Sequence, residues 1–111
     1  MRIVTLILLL LGLFVSTVVG AAEKHIVKLE DKQFIFQDKA VEQIVIKKGD
    51  TVLFTNTDTI DYDIASSSSA KSFKAGVLKP GASKTITFDK PGSVEVECAI
   101  HTEMFLEVVV R

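Results

Sequence analysis

From His25 onward, polar and apolar residues follow one another in short runs with turn residues between them, and no helical period appears. His25 to Leu29 alternates weakly and is rich in branched residues. Phe34-Ile35-Phe36 is a short apolar run, and Val41 to Ile46 is β-branched until Lys47-Lys48-Gly49-Asp50 breaks it with a turn. Thr51 to Thr55 reads as a strand that Asn56 to Asp58 ends, and Ile60 to Ala65 as a further extended piece. Ser66 to Ser69 reads as a flexible loop, and Lys71 to Lys74 as room for a helical turn. Phe73 to Leu78 leads into the first of two Lys-Pro-Gly turns, Lys79-Pro80-Gly81 and Lys90-Pro91-Gly92. Pro followed by Gly at the centre of a turn predicts type II geometry, because Pro presets φ and Gly accepts φ > 0. Ser83 to Phe88 alternates, with Ile86 and Phe88 on one face. Val94-Glu95-Val96-Glu97-Cys98 alternates cleanly, with Val94, Val96 and Cys98 inward. Phe105 to Val110 is the last strand. Short strands at this spacing predict an all-β, two-sheet sandwich.

The first 22 residues break the pattern. They hold 16 apolar residues, and Arg2 is the only charge before Glu23. Met1-Arg2, the apolar run from Ile3 to Val19 and the small residues Gly20-Ala21-Ala22 predict a secretory leader over residues 1–22, cut after Ala21 or Ala22. The alternative is a retained membrane anchor, since the run is about as long as a bilayer span. Either way residues 23–111 form one domain outside the cytoplasm, which in a bacterium means the periplasm or the exterior. That domain carries 12 basic and 14 acidic residues. A nucleic-acid partner, which calls for a basic surface, is therefore not expected.

Composition narrows the chemistry further. There is one Cys and there are two His. No internal disulfide can form, although oxidising compartments favour paired cysteines. A lone thiol there suggests a free liability, an intermolecular bridge or a metal ligand. Cys98-Ala-Ile-His101-Thr-Glu-Met104 connects the last two expected strands. Cys98 keeps the inward phase of one strand, and Met104 shares phase with Leu106, Val108 and Val110 on the other. A tight connection would bring thiolate, imidazole and thioether to one end of the sandwich. That soft set selects copper over calcium, magnesium or manganese. Each residue alone has a plainer reading: Cys98 as small core, His101 as a loop residue, Met104 as core filling. The joint spacing favours the metal. His25 reads as a surface residue.

On these residues the chain resembles the cupredoxins, the blue-copper electron carriers. The likeness runs through Val45 to Val52, Phe54-Thr55-Asn56-Thr57-Asp58, Leu78-Lys79-Pro80-Gly81, Phe88 with Pro91-Gly92, and Cys98-x2-His101-x2-Met104. The short ligand loop is similar to that of amicyanin and of small methylamine-utilisation-type plastocyanin-like proteins. The resemblance implies an antiparallel Greek-key sandwich with one copper at one end, held by a Cys thiolate, two His and a weak axial Met. Tyr62 stands where that family places its first His. Asp63 stands where Asn is frequent, Glu97 where an aromatic precedes the Cys, and Thr102 where Pro follows the second His. Four readings of Tyr62 stay open: a phenolate ligand, despite an ordinary pKa near 10; an oxygen from Asp61 or Asp63 in its stead; a three-coordinate Cys98, His101 and Met104 site favouring Cu(I); or a vestigial site that Tyr62 packs over.

The functional expectation is copper-based electron transfer, with a redox partner docking near His101, where Ile100 and Phe105 supply apolar surface. The alternatives are a Cu(I) carrier or buffer and a metal-free interaction module. No enzyme is expected. Cys98 and His101 could form a nucleophile–base pair, but no orienting residue is apparent and the domain is small.

Overall fold

The computed structural model describes residues 21–111; the expected leader, apart from Ala21 and Ala22, lies outside the described residues. Ten strands are present among them: β1 (Lys24–Glu30), β2 (Gln33–Phe36), β3 (Lys39–Val41), β4 (Gln43–Ile46), β5 (Thr51–Asn56), β6 (Tyr62–Ser68), β7 (Lys71–Leu78), β8 (Ser83–Thr87), β9 (Gly92–Cys98) and β10 (Phe105–Val110). They form two five-stranded sheets, ordered β3-β2-β1-β5-β8 and β4-β10-β9-β6-β7. The expected sandwich is therefore present. Its sheets are mixed rather than wholly antiparallel, because β1 runs parallel to β5 and β4 parallel to β10.

Period-two alternation sets the core. Val27, Leu29, Val52, Phe54 and Ile86 point inward from the first sheet, and Ile64, Val94, Val96, Leu106 and Val108 from the second. Phe34 meets Phe54 edge-on at 6.4 Å between ring centroids, in the middle of this layer. Each fully buried side chain of this size contributes about 1.5–3 kcal/mol, so the sandwich is closed by residues of the described domain itself.

Several local expectations are corrected. Val41 to Ile46 is not one strand. β3 and β4 belong to different sheets, and the chain crosses between them at Glu42. Ser66 to Ser68 extends β6 rather than forming a loop, because these serines pair with Phe73, Ser72 and Lys71 of β7. The same pairing turns Lys71 to Lys74 into strand instead of a helical turn. Small polar side chains carry little strand preference of their own, and cross-strand pairing decides their state. Lys79-Pro80-Gly81 makes the expected type II turn: Ala82 N–H donates to the Lys79 carbonyl at 2.8 Å, and Gly81 has φ of +87°. Lys90-Pro91-Gly92 does not, since Gly92 has φ of +140° and opens β9.

The hairpin between β1 and β2 turns on two residues, Asp31 and Lys32, with φ of +55° and +57°. That is type I′ geometry, which favours Asn-Gly or Asp-Gly. Without glycine each position costs about 1 kcal/mol or more. The compensation comes from across the molecule and touches the candidate site.

Candidate metal centre

The expected ligand segment lies at one end of the sandwich, between β9 and β10. Cys98 ends β9, where it pairs with Ile64 of β6. The connection folds into two tight turns. His101 N–H approaches Cys98 Sγ at 3.5 Å, and Met104 N–H donates to the His101 carbonyl at 3.0 Å. Ala99 N–H donates to the Asp63 carbonyl at 2.8 Å and ties the loop to β6. The inward phases read from the sequence hold. Cys98 is 2% exposed and Met104 3%, while His101 is half-buried.

His101 has a fixed orientation. Its Nε2 sits 3.1 Å from the main-chain carbonyl oxygen of Asp61. A carbonyl only accepts, so Nε2 carries the hydrogen and donates. In the neutral ring the lone pair then lies on Nδ1. A ring N–H given to a backbone carbonyl is the usual outer support of a metal-ligating histidine.

Tyr62 is at the same end but is differently employed. It opens β6, is fully buried, and packs edge-on against the His101 ring with centroids 5.1 Å apart. Its hydroxyl donates to Asp58 Oδ2 at 2.8 Å and accepts the Lys32 N–H at 2.9 Å. Asp58 Oδ2 also accepts the Asp31 N–H at 2.8 Å. Both amides of the glycine-free β1–β2 turn are thus held by this pair. Burial, helped by the Asp58 carboxylate, pushes the phenol up to about 12, against the lowering effect of the Lys32 N–H. Asp58 is held below the ordinary carboxylate range, first by the Thr59 N–H, then by the Tyr62 hydroxyl and the Asp31 N–H.

Of the alternative oxygen donors, the Asp61 carboxylate lies 3.4 Å from Lys79 Nζ, and Asp63 is tied to the loop by its main-chain carbonyl, which holds the Ala99 N–H. Among the described residues no point gathers three or more His, Cys, Asp or Glu side chains. Any ion here must draw on Met104 beside Cys98 and His101. The donor set of thiol, imidazole Nδ1 and thioether fits a soft ion and offers nothing to a hard one.

Two supports escaped the sequence reading. Asn56, read only as a strand breaker, is buried; its Nδ2 donates to the Ile60 and Leu78 carbonyls at 2.8 Å each, and its Oδ1 accepts the Asp58 N–H. It shapes the loop that delivers Asp58, Asp61 and Tyr62. The Asp61 carbonyl is a backbone group, so no residue-type signal announces it. A groove of about 660 Å³ runs past Ser66, Ser68, Lys74, Glu97, Cys98 and Thr102.

No family model matches the sequence, and none of the curated proteins does. Solved structures do match in shape. A reduced amicyanin variant with a tryptophan-to-tyrosine substitution superposes with a TM-score of 0.68 at 21% identity, covering 85% of this chain and 86% of its own. Amicyanin from Paracoccus versutus gives 0.67 at 23%, covering 85% of each chain. A Cu(I) amicyanin variant with a methionine-to-alanine substitution gives 0.66 at 20%, covering 85% and 86%. The described domain has the cupredoxin fold, a two-sheet Greek-key sandwich of amicyanin type.

Proposed function

We propose that this chain is an exported copper protein of the electron-transfer class, with Cys98 Sγ, His101 Nδ1 and Met104 Sδ as donors and Tyr62 as a neighbouring wall rather than a ligand. The Nε2–H bond of His101 to the Asp61 carbonyl carries the reading, because it turns the nitrogen that can bind a metal away from hydrogen bonding. Copper bound here would supply one-electron chemistry. The protein's part is to hold two buried sulfurs rigid on the β9–β10 connection, to keep water from them, and to leave the half-buried His101 as the route outward. Ile60, Ile100 and Phe105, each more than a third exposed, offer a redox partner an apolar surface around that histidine. Cys98 is too buried to act as a nucleophile on the neighbouring groove, which favours a carrier over an enzyme. Export rests on the leader read over residues 1–22.

Tyr62 favours a second reading, a Cu(I) carrier. With its hydroxyl engaged by Asp58 and Lys32, the set is three-coordinate and soft, which suits the reduced ion. One titration series separates the readings. The electron carrier takes up Cu(I), and on oxidation shows an intense visible thiolate-to-copper band that strengthens in Tyr62→His. The Cu(I) carrier binds the reduced ion tightly and stays colourless with Cu(II). Absence of uptake in either oxidation state leaves the metal-free module as the function.

A further inference from the structure

The end of the sandwich opposite Cys98 holds a buried carboxylate that lacks a permanent cation. Asp50, in the turn before β5, is 1% exposed. Its Oδ1 accepts the Glu23 N–H at 2.9 Å, and its Oδ2 accepts His25 Nε2–H at 2.9 Å and the Lys47 N–H at 3.0 Å. Lys47 gives Asp50 its main-chain N–H but turns its ammonium elsewhere, since its Nζ pairs with the Glu23 carboxylate at 3.6 Å. Among the described residues, His25 is the only ion-pair partner of Asp50, and it is charged only when protonated. Buried carboxylates are ordinarily matched by a full positive charge.

We infer that the leader is removed between Ala22 and Glu23, and that Asp50 is the receptor for the Glu23 ammonium this cut creates. Hydrolysis adds water across the Ala22–Glu23 peptide bond. Ala22 departs with the new carboxylate, and Glu23 keeps its nitrogen as an ammonium. The catalyst is a leader peptidase, and the bond is flanked by the small residues Gly20 and Ala22 that such an enzyme accepts. The nitrogen released is the one already 2.9 Å from Oδ1. Nothing upstream is needed to hold the strand, because Thr51 N–H donates to the Glu23 carbonyl at 3.0 Å while Ala21 and Ala22 are exposed and outside any strand. A cut after Ala21 would instead place the charge one residue away, about 3.8 Å along the chain, and leave a neutral amide on Asp50.

This assignment rests on the leader reading and not on copper. The test begins with the full precursor expressed in an exporting bacterium and the intact mass of the product. The expected mass is that of a chain beginning at Glu23. A cut at another bond or a retained leader overturns the assignment, and neither bears on the copper reading. Chains beginning at Glu23 with a free or an acetylated amine are then melted at about pH 7 and about pH 10. The free-amine chain is expected to melt about 4 °C higher or more at the lower pH. Pairing raises the amine above its ordinary range near 8, so the advantage is full below that range and gone by about pH 10. Asp50, His25, Lys47 and the Glu23 carboxylate face the nitrogen in both chains, so the pair differs only in the charge on that nitrogen. Equal melting at about pH 7 overturns the assignment. Asp50→Asn should abolish the difference, and if that variant does not fold the acetylation pair still decides.

Discussion

The two ends of the sandwich solve opposite problems with similar means. At the β4–β5 end, the Asp50 carboxylate draws together Glu23, His25 and Lys47, and both of its oxygens are engaged within the protein. At the β9–β10 end, Asn56, Asp58 and Tyr62 are equally engaged. No buried side-chain nitrogen or oxygen among the described residues lacks a partner. What remains at that end is soft: two buried sulfurs and the second nitrogen of His101. One end is closed by hydrogen bonding, and the other is built by hydrogen bonding to leave three donors over. Stability is therefore expected to concentrate at Asp50 and ligand binding at Cys98.

The largest effect on stability should come from Asp50→Ala. The change leaves the Glu23 and Lys47 amides and the His25 ring without their acceptor in a buried place. Unsatisfied donors of this kind cost about 1–3 kcal/mol each, with partial relief by water at the surface. Urea unfolding should show a loss of about 3–5 kcal/mol. Copper uptake by whatever fraction stays folded should be unchanged, since the site lies at the far end of β5. Cys98→Ala should do the reverse. It removes the thiolate and lowers Cu(I) affinity by more than about 100-fold in a competition titration, while altering stability by about 1 kcal/mol, as a small buried side chain is exchanged for a smaller one. A variant that loses both properties together would dissolve the contrast.

Acid sharpens the comparison at smaller amplitude. Burial pushes Asp50 up, but the Glu23 amide, the His25 ring and the Lys47 amide outweigh it and hold the carboxyl down to about 2. A lowered carboxyl stabilises the fold fully above its unfolded pKa near 4, and that contribution is lost as pH falls from about 4 to about 2. Melting followed across this window should fall steeply in the wild type and more gently in Asp50→Asn. Parallel curves for the two proteins would remove Asp50 as the acid-sensitive group.

How much of this was legible in the sequence follows from what alternation can carry. Val94 to Cys98 alternates strictly, and Met104 falls in phase with Leu106, Val108 and Val110, so the inward placement of Cys98 and Met104 could be read directly. Val41 to Ile46 and Ser66 to Ser69 could not. In the first, one apolar run spans a crossover between sheets. In the second, pairing with β7 overrides weak local preference. His25 read as a surface residue because its partner lies 25 positions away; it is half-buried on Asp50 instead. The roles of Asn56, Asp58 and the Asp61 carbonyl are likewise products of long-range closure, which leaves no periodic trace. Tyr62 was visible as a departure from a resemblance, but not its hydroxyl partners.

Tyr62→Phe is the most delicate test, because it separates the wall from the ligand. The ring that faces His101 is retained, while the hydroxyl that joins Asp58 to Lys32 is lost. One amide of the turn at Asp31 and Lys32 is then left without its acceptor, at positive φ and without glycine. The expected cost is about 1–2 kcal/mol, with faster hydrogen exchange at the Lys32 amide as its local signature. Cu(I) affinity should stay within about threefold of the wild type, because a phenol pushed up to about 12 and donating to a carboxylate is not a ready donor to a metal. A loss of affinity beyond about tenfold, with the turn's exchange unaltered, would instead make Tyr62 a ligand. The contrast between the two ends would then fail, since the hydroxyl would belong to the group of donors left free.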